Sequence, residues 1–251
     1  MYPEILKIGP VTIYSYGLMA AIGFLLGGYL LEKQLQRVGR EKELAGSIII
    51  AALIGGIVGS KIYYLAQNPH LLEQDFFGNV FSGAGLVWYG GLIGGLIAVT
   101  WWIRRKKLPF LLVADLMAPL LLLGQGIGRI GCFLSGDGDY GPPTDVPWAM
   151  SFPNGVVPTN ELVHPTPLYD TILLVSLFFI LWSLRKKEFK QGTMFGLFGV
   201  FIGAERFFTE FWRLEPKFIF GVLSEAQFIS ILLFIFGIAL IVYVNKFKKE
   251  A

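Results

Sequence analysis

The sequence predicts an all-α polytopic membrane protein of seven transmembrane helices, with the N-terminus outside the cell and the C-terminus in the cytoplasm. Three observations carry this. Hydrophobic residues make up 54% of the 251 positions and charged residues only 16%, and the mean hydropathy is +0.61, more apolar than an ordinary soluble core requires. Seven apolar runs reach the length of about 17 to 25 residues that crosses a bilayer as a helix. Basic residues gather at every second gap between those runs.

The runs lie at 14–31, 44–66, 86–103, 110–130, 167–184, 194–212 and 224–244. Each is expected to be helical, because lipid offers nothing to an open sheet edge. Lys33, Arg37, Arg40 and Lys42 follow the first run. Arg104, Arg105, Lys106 and Lys107 follow the third, Arg185, Lys186, Lys187 and Lys190 the fifth, and Lys246, Lys248 and Lys249 the seventh. These are 15 of the 21 basic residues; the gaps on the other side hold Lys7, Arg213 and Lys217. The excess of lysine and arginine on one side sets the orientation. The first run has no basic stretch ahead of it and no small-residue cleavage pattern, so it reads as a permanent span rather than a signal peptide. One transmembrane domain over 1–251 follows, and Cys132, the only cysteine, leaves no internal disulfide to form.

Three cations remain, and all fall inside spans: Lys61, Arg129 and Arg206. At about 1.5 Å of rise per residue they lie roughly 25, 28 and 21 Å from the cytoplasmic ends of their helices, in the outer half of each. A charge at such a place is costly and usually functional. Glu210 and Arg213 follow Arg206 at i+4 and i+7 on one helix face; they form either a structural ion-pair ladder or a device that orients the arginines.

The stretch 124–141 around Arg129 holds seven glycines in eighteen residues. Gly126-Ile-Gly-Arg-Ile-Gly131 fits the dinucleotide spacing, but that motif has meaning only between a strand and a helix of a soluble unit. Close helix packing accounts for Gly124 and Gly128, and for the paired glycines at 55–59 and 90–95, but not for Arg129. The outer segment 135–163 carries no lysine or arginine, is rich in proline and includes Asp137, Asp139 and Asp145. A structureless segment of that length is expected to act as a loop or lid. His164 closes it; His70, the other histidine, sits in a loop of no evident chemistry. No metal-ligand cluster, nucleophile triad, cofactor motif or nucleic-acid patch stands out.

Cations held in the outer half of a bundle suit an anionic headgroup whose tails stay in lipid. Arginine offers a phosphate two charge-assisted hydrogen bonds, so the residues alone point to a phospholipid-handling site. A lipid or anion transporter, or a non-catalytic phospholipid binder, is the competing class. A carrier would be expected to show an internal repeat with paired broken helices, and none is visible.

Arg129-Ile-Gly-Cys-Phe-Leu-Ser-Gly-Asp137 followed by Gly141 resembles the G-R-x-G-N-F-x-N-x-E signature, ending in glycine, of the prolipoprotein diacylglyceryl transferases. Gly9-Pro10 and Tyr16-Gly17-Leu18 resemble the family's first helix, and 87–94 its H-G-G-L-I-G element. Pro147-Trp148 and 164–170 resemble its P-W and H-P-(S/T)-x-L-Y-E elements, and Arg206, Glu210 and Arg213 its R-x-x-x-E-x-x-R helix. The resemblance runs in order over nearly the whole chain and implies seven spans. It implies a multi-pass enzyme of the bacterial cytoplasmic (inner) membrane that moves the diacylglyceryl group of phosphatidylglycerol to the lipobox cysteine of a prolipoprotein, with membrane lipids around it and no cofactor. By position, Arg129 and Arg206 match the family's essential arginines, Tyr16 its first-helix tyrosine and Lys61 a place usually held by arginine; Glu210 and Arg213 match the neighbours of Arg206. Four places depart from it: Tyr89 stands for the histidine of H-G-G, Cys132 and Ser135 for asparagines, and Asp137 for glutamate. The family histidine is a candidate base for the substrate thiol. A thiol titrates near 8.5 and a tyrosine near 10, so His164 becomes the expected base, with Tyr89 itself, Asp137 or no dedicated base as alternatives.

Overall fold

The computed structural model describes residues 1–9, 11–71, 75–81, 87–219 and 221–246. Pro10, Leu86, Lys248 and Lys249, which entered the reading above, lie outside the described residues. Contacts divide the chain into two compact units, Met1–Leu30 with Ala114–Ala251, and Leu31–Val113.

Each of the seven expected spans is a helix: α1 (Ser15–Arg37), α2 (Leu44–Gln67), α4 (Trp88–Arg105), α5 (Phe110–Ser135), α6 (Thr166–Leu184), α7 (Thr193–Thr209) and α8 (Glu225–Lys246), with a short α3 (Phe76–Phe81) between the second and the third. Five of them, α1, α2, α5, α6 and α8, are long and apolar enough to cross a membrane. The third and sixth expected spans, α4 and α7, are helices of 18 and 17 residues. The surface agrees with a multi-pass membrane protein. Leu25, Ile54, Ile97 and Phe179 are more than half exposed while Gln34, Ser60, Thr166, Asp170 and Glu205 are buried, so apolar side chains face outward and polar ones are gathered within.

Glycine sets the spacing inside each unit. In the second unit α2 and α4 approach until a Cβ on Gly94 would stand 2.2 Å from the Gly55 carbonyl oxygen and one on Gly59 2.3 Å from that of Gly90. In the first unit α7 and α8 meet in the same way at Gly196 and Gly237. Small residues let backbones touch where lipid supplies no hydrophobic drive between helices.

Asp115, half-buried in the apolar part of α5, is explained by α7. Its Oδ2 accepts the Gly192 N–H at 2.6 Å and its Oδ1 the Phe195 N–H at 2.8 Å, so a carboxylate from another helix takes the place of an N-cap at a turn where Gly192 has φ +105°. Arg129 and Arg206 each lie fourteen residues beyond this clamp, at Asp115 and Gly192 respectively. Equal rise along the two helices, roughly 21 Å, brings both arginines to one level.

The expectation of a purely helical chain with a structureless 135–163 needs correction. Among the described residues, three two-stranded antiparallel sheets occur: β1 (Glu4–Ile8) with β2 (Val11–Tyr14), β3 (Met150–Phe152) with β4 (Thr159–Val163), and β5 (Lys217–Ile219) with β6 (Leu223–Ser224). The second lies inside 135–163. Tyr140 stacks on the fully buried Phe152 at 4.0 Å, Val163 completes that small core, and the Tyr140 hydroxyl donates to the Val157 carbonyl at 3.0 Å. The strands are too short for alternation to be read, but their aromatic core and backbone pairing keep the segment ordered despite its prolines. At the start of α8, Ser224 and Gln227 form a capping box: each side chain accepts the other's backbone N–H at 3.1 Å.

Gly94→Val should force α2 and α4 apart at a cost of about 1–3 kcal/mol, whereas Gly46→Ala on α2, where a Cβ meets nothing within 4 Å, should be neutral or slightly stabilising. Thermal unfolding of the two variants in detergent measures the difference, and equal melting temperatures would contradict the close approach.

Candidate active site: three arginines and four carboxyls

The C-terminal end of α5, the first turns of α6 and the C-terminal end of α7 converge in the first unit. Arg129 projects from α5. Its Nη1 pairs with Asp139 Oδ2, and its Nε lies 3.1 Å from Asp170 Oδ2 on α6. Arg213, just beyond the 3₁₀ turn Glu210–Trp212 that ends α7, repeats the pattern: Nη1 pairs with Asp139 Oδ1 and Nη2 with Asp170 Oδ2 at 2.5 Å. Two carboxylates therefore bridge two guanidinium groups. Arg213 and Asp170 are buried, while Arg129 and Asp139 each keep 26% of their side-chain surface exposed. Burial, and then the charge of Arg129, pulls Arg213 down to about 10, which leaves it charged at neutral pH.

Arg206 is held separately. Its Nη2 lies 3.0 Å from Glu210 Oε2, and Glu210 Oε1 accepts the Ser224 hydroxyl at 2.6 Å, so the capping box of α8 fixes the carboxylate that orients this arginine. Arg206 Nη1 is buried with no hydrogen-bond partner among the described residues. Glu205, its neighbour, is only 6% exposed and lies against Asp170.

The other expected residues are placed as follows. Tyr16, in the first turn of α1, packs over Gly131 at about 3.2 Å from where a Cβ would stand, next to the turn that carries Arg129. Cys132 is buried on α5. Gly141 has no room for a side chain, since a Cβ would come within 2.2 Å of the Trp212 carbonyl oxygen and 2.7 Å of His164 Cβ; its N–H donates to the His164 carbonyl at 2.9 Å. Lys61 and Tyr89 belong to the second unit. There Lys61 Nζ stands 5.8 Å from the centre of the Tyr64 ring and Tyr89 is exposed at the start of α4.

The carboxylate that grips the arginines is Asp139, not Asp137. Asp137 is exposed and makes no ion pair among the described residues; its Oδ1 accepts the Asp139 N–H at 3.3 Å. Gly136 and Gly138, at φ +63° and +94°, turn the chain so that the later aspartate faces the helices. Thr166, at the start of α6, donates to the Asp139 carbonyl and holds the turn there. Asp170, Glu205 and Asp139 were not singled out from the sequence. For the first two the signal was present, since both are ionisable residues inside apolar runs.

His164 is tied into the same surface. Its Nδ1 lies 3.0 Å from the Tyr169 hydroxyl, which also accepts the Trp148 indole N–H at 2.7 Å; the Tyr169 ring meets Trp212 edge to face at 6.0 Å. Indole nitrogen can only donate, so the Tyr169 hydroxyl accepts from Trp148 and keeps its own hydrogen, which it can give to His164 Nδ1. Behind Asp139 and Arg213 lies a cavity of about 230 Å³ whose walls include Glu161 and Glu215. Those carboxylates repel a phosphate. Arg129 and Arg206 line no part of this cavity, and each keeps 26% of its side-chain surface exposed.

Residues 3–243 match the family model described as prolipoprotein diacylglyceryl transferase. The chain belongs to this family. Among curated relatives it is 36% identical, over the full length of both chains, to a protein of Clostridium tetani named phosphatidylglycerol–prolipoprotein diacylglyceryl transferase. It is 36% identical to the protein of that name from Pseudoalteromonas atlantica, covering 99% of this chain and 91% of the relative, and 35% identical to that of Vibrio parahaemolyticus, covering 97% and 91%. Within a prolipoprotein diacylglyceryl transferase, the signature that holds Arg129 is thus also the segment that delivers Asp139.

Removing the bridge is expected to loosen this segment. Asp139→Ala leaves two guanidinium groups short of a partner, and with the carboxylate partly exposed the loss should be about 2 kcal/mol, between the values for exposed and buried pairs. Limited proteolysis should then cut 135–163 sooner than in the parent, while Asp137→Ala should leave the cleavage rate unchanged.

Proposed function

We propose that this chain transfers the diacylglyceryl group from phosphatidylglycerol to the lipobox cysteine thiol of prolipoproteins, the first step of bacterial lipoprotein maturation. The family membership and the names of the full-length relatives support this reading. The observation in the site that carries it is Arg206: a buried guanidinium N–H without a partner among the described residues, on a side chain that keeps 26% of its surface exposed, is what a phosphate oxygen would satisfy.

In the reaction the thiol sulfur attacks the glyceryl carbon that bears the phosphate. The S–C bond forms as the C–O bond breaks, the electron pair of that bond passes to the phosphate oxygen, and the thiol proton leaves the sulfur. Glycerol phosphate departs and the thioether remains. Charge grows on the leaving phosphate, so Arg129 and Arg206 stabilise the transition state more than the ground state. Glu210, fixed by Ser224, holds Arg206 in place, and Arg213 with Asp170 does the same for Arg129. With its Nδ1 engaged by the Tyr169 hydroxyl, we assign His164 to fastening 135–163 through Tyr169 and Trp148 rather than to taking the thiol proton. Tyr16, Cys132 and Gly141 line or space this end of α5, and Lys61 and Tyr89 are assigned to substrate contact by family position alone.

The enzyme we infer is a seven-span protein of the bacterial cytoplasmic membrane with this site toward the outer face. Cysteines introduced at Asp145 and Lys187 should then react with impermeant reagents from opposite sides, Asp145 from outside. Labelling of both from the same side would refute the topology.

Turnover of phosphatidylglycerol with a lipobox peptide by purified protein tests the function directly. Arg206→Ala should lower turnover by about 100-fold or more, the scale of losing one charge-stabilising donor. Arg206→Lys should recover only part of it, because an ammonium keeps the charge but not the planar fork. Normal turnover by properly inserted Arg206→Ala protein would remove the assignment; lipid binding without turnover in the parent would instead make the chain a non-catalytic phospholipid binder.

A further inference from the structure

The cluster contains one more carboxyl than it has arginines. Asp139, Asp170 and Glu210 take all of its ion pairs with Arg129, Arg206 and Arg213, and Glu205 makes none among the described residues. It is nevertheless 94% buried, by its 6% exposure, on a helix where water cannot solvate it. Glu205 Oε1 and Asp170 Oδ1 are both buried without a hydrogen-bond partner among the described residues, and the two carboxyl groups lie against each other. Two ionised carboxylates in contact at such a place repel, and an unpaired one is expensive to bury. A single proton removes both penalties: a Glu205 carboxylic acid can donate to the free oxygen of Asp170, whose other oxygen stays with Arg129 and Arg213.

We propose that Glu205 and Asp170 share one proton and that this pair is the proton carrier of the transfer reaction. The proposal rests on the function inferred above and assigns the step that His164 leaves open. The pair gives its proton to the phosphate oxygen as the C–O bond breaks, and the thiol proton replaces it as the S–C bond forms. Proton and charge balance close on a thioether and a glycerol phosphate carrying one added proton. No other reagent is consumed. The groups around the pair favour this role. Asp170 faces Glu205 from α6, Arg129 from α5 and Arg206 from its own helix, so the same two arginines that would hold the phosphate border the proton that it needs. Thr209 and Arg213 complete the surroundings of Asp170, and α8 meets this stretch of α7 at Gly203 with Ser230 and Phe234, neither of them titratable. Glu205 touches the reacting groups through Asp170 and the arginines, so it acts as a positioning and proton-storing residue.

Glu205→Gln is the discriminating change. An amide still donates to Asp170 but cannot pass a proton on, so packing is kept and the carrier is lost. In full-length protein in phosphatidylglycerol-containing bilayers, infrared spectroscopy should show the carbonyl stretch of a protonated carboxylic acid at neutral pH, and that band should vanish in Glu205→Gln. Turnover with a lipobox peptide should fall at least tenfold, with the KM for phosphatidylglycerol unchanged and one ionisation missing from the pH profile of kcat. Glu205→Asp should restore part of the rate. A parent protein without a protonated-acid band at neutral pH overturns the shared proton whether or not the variants fold. Wild-type turnover and an unaltered pH profile in Glu205→Gln overturn the carrier role. A parent that shows the band but never turns over phosphatidylglycerol refutes the inferred function while leaving the shared proton standing.

Discussion

The structure depends on bringing guanidinium groups into an apolar bundle and giving them carboxylates there. Arg129 and Arg213 cannot be buried alone, since an unpaired charge in such a medium is far too costly. Asp170 from α6 and Asp139 from 135–163 each serve both of them. This shared pairing draws the ends of α5, α6 and α7 together and pins the intervening segment across them. Removing any one member leaves an uncompensated charge at the meeting point of three helices, so the cluster is as much a structural joint as a place for chemistry.

The other end of the same helices is set by a single carboxylate. Asp115 caps α7 from α5, so the two helices begin their climb in step and deliver Arg129 and Arg206 at the same height. Glu210 and the capping box at the start of α8 then hold Arg206 with one N–H unspent. On the proposed function, this is where the lipid phosphate meets two preorganised cations.

Much of this could be read from the chain and some could not. The seven apolar runs became seven helices to within a few residues at most ends, because periodicity and length are decided locally by the need to close backbone hydrogen bonds in lipid. Arg129, Arg206 and Glu210 could be singled out because charge inside an apolar run is conspicuous, and Arg213 by its spacing from Arg206. Asp170 and Glu205 had the same signal but were masked by richer motifs beside them. Asp139 was illegible for a different reason: two aspartates stand two residues apart, and only the positive φ of Gly136 and Gly138 decides which one turns inward. The pairing of β3 with β4 depends on contacts such as Tyr140 on Phe152 that no local pattern announces. The tie from His164 through Tyr169 to Trp148 likewise exists only once the segment has folded back on α6.

The central claim is that lipid phosphate sits on Arg129 and Arg206. Solid-state magnetic resonance on protein with isotope-labelled arginine, in bilayers of phosphatidylglycerol, measures the dipolar coupling between guanidinium nitrogen and lipid phosphorus. Resonances assigned by the loss of single arginines should show strong coupling at Arg129 and Arg206, and little at the buried Arg213. Coupling confined to the surface arginines Arg104 and Arg105, with none at Arg129 or Arg206, would contradict the account.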